Sequence, residues 1–427
     1  MKQKKFMKKK KIKIKYIAKS EGHSDLEAKI LKGKIVEARV DVRKGARLIE
    51  GIVLGRKIEE IPEIVARICG ICPIAHNLAS IKALENALDI KVPKVVEDLR
   101  KIMQYGQIIQ SHMLHIFITI SDYFGLEDSL EIKKLFPLHF KRIFEIREFG
   151  NEVVETIGGR AIHPVASIVG GFSVSPSKKR LREILKEADD ILEKAIFLSS
   201  LFKKIKFPEF RRETEYISLS KKNSYPFYEG NIVSNKGLFL LAKDFKKELK
   251  EFQRPKEVVN LVKHKGSSYL LGALARIINS GKYLSPPAKE VLENLKIDFS
   301  SFNSFHILPA QMIEIVESIY QIKKMLPSVL KEKFDSLYVS FKPKKGKGVG
   351  VIEAPRGLLF HFYATSSDGK IEKADIITPT AQFLFNLEKD IEALSEFFPK
   401  NAKKKEKIQL LKMLVRVYDL CIACAVK

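Results

Sequence analysis

Lys11, Lys13 and Lys15 alternate with Ile12, Ile14 and Tyr16, the period-two pattern of a half-buried strand. Over residues 30–52 the pattern again suits strands. Val36, Ala38, Val40 and Val42 alternate with Glu37, Arg39, Asp41 and Arg43, and Lys32-Gly33 and Lys44-Gly45 punctuate the run as turns. After Pro62 the period becomes helical: Ile74, Leu78, Ile81 and Leu84 share a face, and a long apolar-rich helix fits residues 95–124. A further helix fits residues 177–205, where Leu181, Ile184, Leu185, Ala188 and Leu192 fall on one side. The last third mixes short strands, at 337–341 and 350–362, with a closing helix from about Lys405. Residues 342–348 and 399–407 look like exposed loops. The pattern predicts a predominantly α protein with small β elements (α+β). Its expected organisation is a basic tail and strand at 1–18, a small β region at 19–60 and a helical body at 61–427.

Composition narrows this. The chain has 427 residues, 45% of them hydrophobic, and a formal net charge of +26, so it can bury a large core and is not a disordered polyelectrolyte. No run reaches the ~18 apolar residues of a membrane-spanning helix. The nearest approach, residues 108–120, is broken by Gln110, Ser111, His112 and His115. Nine lysines fall in the first 15 residues, and the remaining excess is dispersed with no nucleic-acid-binding signature, so nucleic acid is not an expected partner. No apolar stretch follows the basic start, which argues against a secretion signal.

Four cysteines form two pairs of identical spacing, Cys69-Gly70-Ile71-Cys72 and Cys421-Ile422-Ala423-Cys424, 352 residues apart. Paired thiolates suit structural zinc, iron–sulfur or catalytic soft-metal chemistry, and two disulfides are a further alternative. Zinc ribbons usually gather their pairs within about 15–20 residues. A site built from these pairs would close only when the two chain ends meet.

The flanking residues decide more. Arg67-Ile68-Cys69-Gly70-Ile71-Cys72-Pro73-Ile74-Ala75-His76 resembles the RxCGxCxxxH motif of the large subunit of [NiFe] hydrogenases, and Asp419-Leu420-Cys421-Ile422-Ala423-Cys424 resembles that family's terminal DPCxxCxxH. Glu21-Gly22-His23 is similar to the EGH signature, and Glu50-Gly51-Ile52-Val53-Leu54-Gly55-Arg56 to the ExxLxGR segment. Further similar segments are Ser111-His112-Met113-Leu114-His115, the GGRxxHP-like run from Gly158 to Pro164, Glu353-Ala354-Pro355-Arg356-Gly357 with His361, and Thr378-Pro379-Thr380. The resemblance runs from about Glu21 to the end of the chain. It points to the cytoplasmic multisubunit group.

The resemblance implies a hydrogenase that splits or forms dihydrogen at a Ni-Fe centre whose iron carries CO and CN ligands. Cys69 and Cys421 would be terminal nickel ligands, and Cys72 and Cys424 would bridge to iron. Glu21 would take the proton, and Arg356, fixed by Asp419, would stand over the open metal face. His76 would donate to a cysteine sulfur, Thr380 to a cyanide, and His361 would stand behind them. Implied partners are an iron–sulfur small subunit, electron-transfer subunits serving a soluble cofactor, and maturation proteins. A hydrogen-sensing or non-catalytic relative is the alternative, and a basic zinc protein a remote one. The departures are informative. Leu420 and Lys427 replace the terminal Pro and His, Lys19-Ser20 stand where an Arg usually precedes EGH, and Phe383 replaces an Asn. The missing His belongs to a second cation site, usually Mg, whose carboxylate corresponds to Glu50 and whose backbone carbonyl lies near Ile376. Lysine is a poor ligand there, so the expectation is that the Lys427 ammonium replaces the ion and pairs with Glu50.

Overall fold

The computed structural model describes residues 10–426 apart from 33, 43, 44, 46, 47 and 256. Three antiparallel strands open it, β1 (Lys10–Ile14), β2 (Asp25–Leu31) and β3 (Lys34–Asp41), in the order β1-β2-β3. The period-two expectation holds at Ala38, Val40 and Val42, which are buried, but fails at Val36, which is 47% exposed. The cause is a register shift between Lys29 and Ile30: Ile30 pairs with Ile35 and Lys29 with Glu37, leaving Val36 as the extra residue of a bulge. The β pattern also ends early. Residues Ile49–Val53 form a short helix, with Ile49 and Val53 inward.

The helices expected near 74–84, 95–124 and 177–205 are present, and two more that the sequence reading did not place, Pro137–Gly158 and Ile307–Lys331, join them. We label them α1 (Pro73–Leu88), α2 (Lys94–Tyr123), α3 (Pro137–Gly158), α4 (Lys178–Ser199) and α5 (Ile307–Lys331). Helix α2 packs on α3 and α5, and α5 packs on α4, forming the body. A buried bidentate pair ties α2 to α1, Arg100 Nη1 and Nη2 donating to Glu85 at 2.9 and 2.8 Å. Residues 215–270 hold short strands with no counterpart in the sequence reading, in a four-stranded sheet and a separate hairpin. Among the described residues no helix is long and apolar enough to cross a membrane.

Beyond α5 the chain forms a three-stranded antiparallel sheet, β4 (Gly346–Ala354), β5 (Gly357–Thr365) and β6 (Ile371–Ile377), then α6 (Pro379–Leu394) and α7 (Lys404–Val417). The loop expected at 342–348 is therefore half strand. Gly346, Gly348 and Gly350 share the face of β4 that lies on α1, and a Cβ on them would come within 2.0, 2.0 and 2.1 Å of the carbonyl oxygens of Ala87, Ala83 and Ala79. The glycines are there for this approach of strand to helix. At 337–341 only an isolated bridge forms, Tyr338 with Gly171. The free edge of β3 is covered by α6: Val40 N–H donates to Glu388 Oε1 at 3.0 Å and Ala38 N–H to Glu392 Oε1 at 3.3 Å. The N-terminal sheet and the C-terminal helices are thus joined, and Glu21, just before β2, bridges to Cys421.

Candidate metal centre

Cys69 sits in the turn before α1, and Cys72 is the residue immediately before that helix, with Pro73 supplying its preset first position. Cys421 precedes a one-turn helix, Ile422–Ala425, that carries Cys424. All four thiols are buried, and their sulfurs lie within 4.8 Å of one another. Cys69 Sγ is 3.1 Å from Cys421 Sγ, Cys72 Sγ is 3.3 Å from Cys424 Sγ, and Cys421 Sγ is 3.1 Å from Cys424 Sγ. These separations exceed the ~2.05 Å of a disulfide, which removes the disulfide alternative.

The electrostatics suit a cation among the sulfurs. Hydrogen bonds from Cys421, then Cys424 and Cys72, hold Cys69 well below the usual thiol range. Burial raises Cys421 well above it, and its hydrogen bond with Cys421 does the same to Cys424. Four thiols this close accept one negative charge and resist more, so a dication supplies the counter-charge that further thiolates need. Arg356 lies next to them. Its burial opposes the charge, but Asp419, then Cys421, Cys72 and Cys69 hold the guanidinium protonated. Arg356 Nε donates to the Asp419 carbonyl and Nη2 to Asp419 Oδ1, both at 2.6 Å, while Nη1 is buried with no partner among the described residues. An orphaned charged donor beside buried thiols fits a bound group that brings its own acceptors.

Each of the other expected residues can be placed. Glu21 bridges to Cys421: its N–H donates to Leu420 O at 3.3 Å, Ile422 N–H donates to its carbonyl at 3.1 Å, and Ala423 N–H donates to its Oε2 at 2.8 Å. Gly22 has φ +83°, and a Cβ there would lie 2.5 Å from Ile422 Cβ, so the EGH glycine is what lets Glu21 come this close. His76 Nε2 is 3.5 Å from Cys424 Sγ, and its Nδ1 is 3.1 Å from His361 Nε2, whose Nδ1 is 2.8 Å from the Tyr363 hydroxyl. Thr380, at the start of α6, accepts from Cys421 N–H at 3.2 Å through Oγ1, leaving its own proton to donate. Glu50 stands further off. Its Oε1 accepts from Ile376 N–H at 2.7 Å, and it helps burial hold Tyr363 above the ordinary phenol range. Lys427 lies outside the described residues.

The family model described as nickel-dependent hydrogenase matches residues 47–133 and 265–427, which take in all four cysteines. The chain belongs to this family. The alpha subunit of sulfhydrogenase 2 from Pyrococcus furiosus is 31% identical to this hydrogenase-family chain over 418 residues, covering 95% of the chain and 96% of that relative. The matching subunit of the F420-non-reducing hydrogenase vhu from Methanocaldococcus jannaschii is 31% identical over 424 residues, covering 90% and 99%. Among solved structures, an NAD+-reducing [NiFe]-hydrogenase in the H2-reduced state superposes with a TM-score of 0.87 at 25% identity, covering 98% of this chain and 99% of that one.

Two groups of contacts had no motif to announce them. Gln311 joins His115 (Nδ1 to Oε1, 2.6 Å) to Asp419 (Nε2 to Oδ2, 3.4 Å). Its signal was there to find: Gln311, Glu314 and Glu317 are spaced three apart in an otherwise apolar helical stretch, which marks buried polar groups. In the second group, Lys19, Asp122 and Arg416, only Lys19 carries a local signal, as the residue standing where an Arg usually precedes EGH, whereas Asp122 and Arg416 look like surface charges.

Proposed function

We propose that this chain is the catalytic large subunit of a [NiFe] hydrogenase and interconverts dihydrogen with two protons and two electrons. The observation that carries this reading is the gathering of four buried thiols from residues 69–72 and 421–424, together with the Glu21 carboxylate held by Ala423 N–H and an unpartnered Arg356 donor. In this reading Cys69, Cys72, Cys421 and Cys424 would hold a nickel–iron group with carbonyl and cyanide ligands, Cys69 and Cys421 serving nickel and Cys72 and Cys424 serving both metals. When bound, that group supplies the soft, electron-rich metal on which dihydrogen divides.

The protein's own residues handle proton and polarity. Glu21 Oε2 is held by Ala423 N–H, which leaves the other oxygen to take a proton from the thiol side and release it outward. Arg356 presents Nη1 to the space beside the sulfurs and is kept from swinging by two bonds to Asp419, so its charge is already in place before any reactant arrives. Asp419 positions Arg356. His76 polarises the Cys424 sulfur and takes its orientation from His361. Thr380 holds the backbone of Cys421 by accepting its N–H, and its own hydroxyl proton would donate to the outer ligands of the bound group.

Electrons then need a carrier outside this chain. The relatives are named as subunits of hydrogenases and the solved neighbour reduces NAD+, which supports an iron–sulfur small subunit, further subunits serving a soluble carrier, and a cytoplasmic location. Glu50 beside Ile376 is the start of a second cation site, filled by magnesium or replaced by Lys427. The test of the proton assignment is Glu21→Gln in the mature complex. Nickel content should stay at the wild-type level while exchange of dihydrogen with deuterated water slows by about 100-fold. Exchange at the wild-type rate would overturn the role of Glu21.

A further inference from the structure

Glu21 is reached through an unusual stretch of backbone. Lys19, two residues before it, has φ +65°, a left-handed conformation that side chains other than glycine adopt only when something holds them. The turn closes on itself, Ile17 N–H donating to Ser24 O at 3.1 Å and Ser20 Oγ to Ile17 O at 2.8 Å. Nothing in that closure fixes the turn relative to the thiols. Charge does. Asp122, one residue from the C-terminal end of α2, has a side chain only 1% exposed and receives two cations from different parts of the chain. Lys19 Nζ donates to Asp122 Oδ1 at 3.0 Å and to Ser121 Oγ at 2.7 Å. Arg416 Nη1 donates to both Asp122 oxygens at 2.9 and 3.0 Å, and its Nε donates to the Ala18 carbonyl at 2.9 Å.

Arg416 is also on the other half of the site. It lies near the end of α7, five residues before Cys421. Its carbonyl accepts from Asp419 N–H at 2.9 Å and is 2.9 Å from His115 Nε2. One buried carboxylate therefore fixes both partners of the Glu21–Cys421 contact against the same helix end. We propose that Lys19, Asp122 and Arg416 form a buried charge clamp that positions Glu21 against residues 421–424 and thereby sets how fast protons leave the site. This rests on Glu21 being the proton acceptor. The three are positioning residues: they touch neither thiols nor reactant, and they act through the backbone they hold. Buried ion pairs are poor at adding net stability but good at fixing one arrangement among several, which is what a proton-transfer contact needs.

The test uses the purified mature complex. Asp122→Asn would leave two buried cations facing each other, so Lys19→Met is the primary variant and Lys19→Arg, which keeps the charge and the reach, is the rescue. With nickel content unchanged, Lys19→Met should slow exchange of dihydrogen with deuterated water by about tenfold or more, and Lys19→Arg should restore it to within about twofold. Added to Glu21→Gln, Lys19→Met should slow exchange no further, because both act on one step. Backbone amide exchange over residues 421–425 should speed up in Lys19→Met and not in Lys19→Arg, a readout that does not depend on turnover. Wild-type exchange in Lys19→Met, or effects that multiply in the double variant, would overturn the clamp while leaving Glu21 in place. A Glu21→Gln variant that exchanges normally would overturn the reading beneath it and the clamp's function together, and only the amide readout would then report on the geometry.

Discussion

Replacing Gly22 by alanine puts one methyl group where the fold has no room. The new Cβ would lie 2.5 Å from Ile422 Cβ and 3.2 Å from each of its γ carbons, against the ~3.5–4.0 Å at which carbons rest. Ile422 Cβ is fixed to the backbone, so rotating the side chain gives no relief and the two segments must part by about 1 Å. The left-handed φ of +83° adds about 1–2 kcal/mol for any L residue, and overpacking typically adds about 1–3 kcal/mol. A local strain of about 2–5 kcal/mol is enough to separate contacts of 2.8 Å (Ala423 N to Glu21 Oε2) and 3.1 Å (Ile422 N to Glu21 O). A misplacement of that size costs about 100-fold in a positioned proton transfer. The expected outcome for Gly22→Ala is near-normal nickel content, proton exchange with dihydrogen down by about 100-fold, and faster amide exchange at residues 422 and 423. Gly51→Ala is the control, since a Cβ there meets nothing within 4 Å. If Gly22→Ala keeps both its exchange rate and its amide protection, the argument from close approach is wrong.

Two further outcomes follow from the fold. Gly350→Ala would set a Cβ 2.1 Å from Ala79 O and 2.7 Å from Ala83 N, atoms of a helix backbone that cannot move aside. It should cost at least about 3 kcal/mol, seen as a thermal midpoint several degrees lower or as loss of folded complex, and a midpoint unchanged within error would refute the packing of β4 on α1. His112 is fully buried 2.8 Å from Glu314, and burial lowers its pKa below 6.5. The unfolded chain therefore binds a proton that the folded one resists, so stability is present above pH 6.5 and falls as the pH drops below it. His112→Gln should flatten that acid limb in thermal melts, and an unchanged slope would show that His112 does not contribute to it.

What the sequence reveals here divides by distance along the chain. Helices α1, α2, α4 and α7 follow from periodicity: α4 buries one apolar stripe, Leu181, Ile184, Ala188 and Ile191, while α1 carries its apolar residues at helical spacing although it is buried on nearly every side. The cysteine pairs and their flanks are equally legible, since Arg67 to His76 and Asp419 to Cys424 are local. Val36 is not, because a bulge depends on how β2 pairs with β3. Gly346 and Gly348 read as a flexible loop although they exist for the passage of a helix, and only the partner reveals that. The strands between residues 215 and 270 are two to six residues long, too short for a period to register. Lys19, Asp122 and Arg416 meet across about 300 and 100 positions, and although Lys19 stands where an Arg usually precedes EGH, nothing local to it names Asp122 as its partner.

The central claim is that the four thiols hold nickel and iron. Metal analysis of the purified complex, combined with infrared spectroscopy, tests it most directly. The account predicts about one nickel and one iron per chain, as four thiolates suit soft metals, together with absorption bands of bound carbonyl and cyanide. One zinc per chain with no such bands would contradict it.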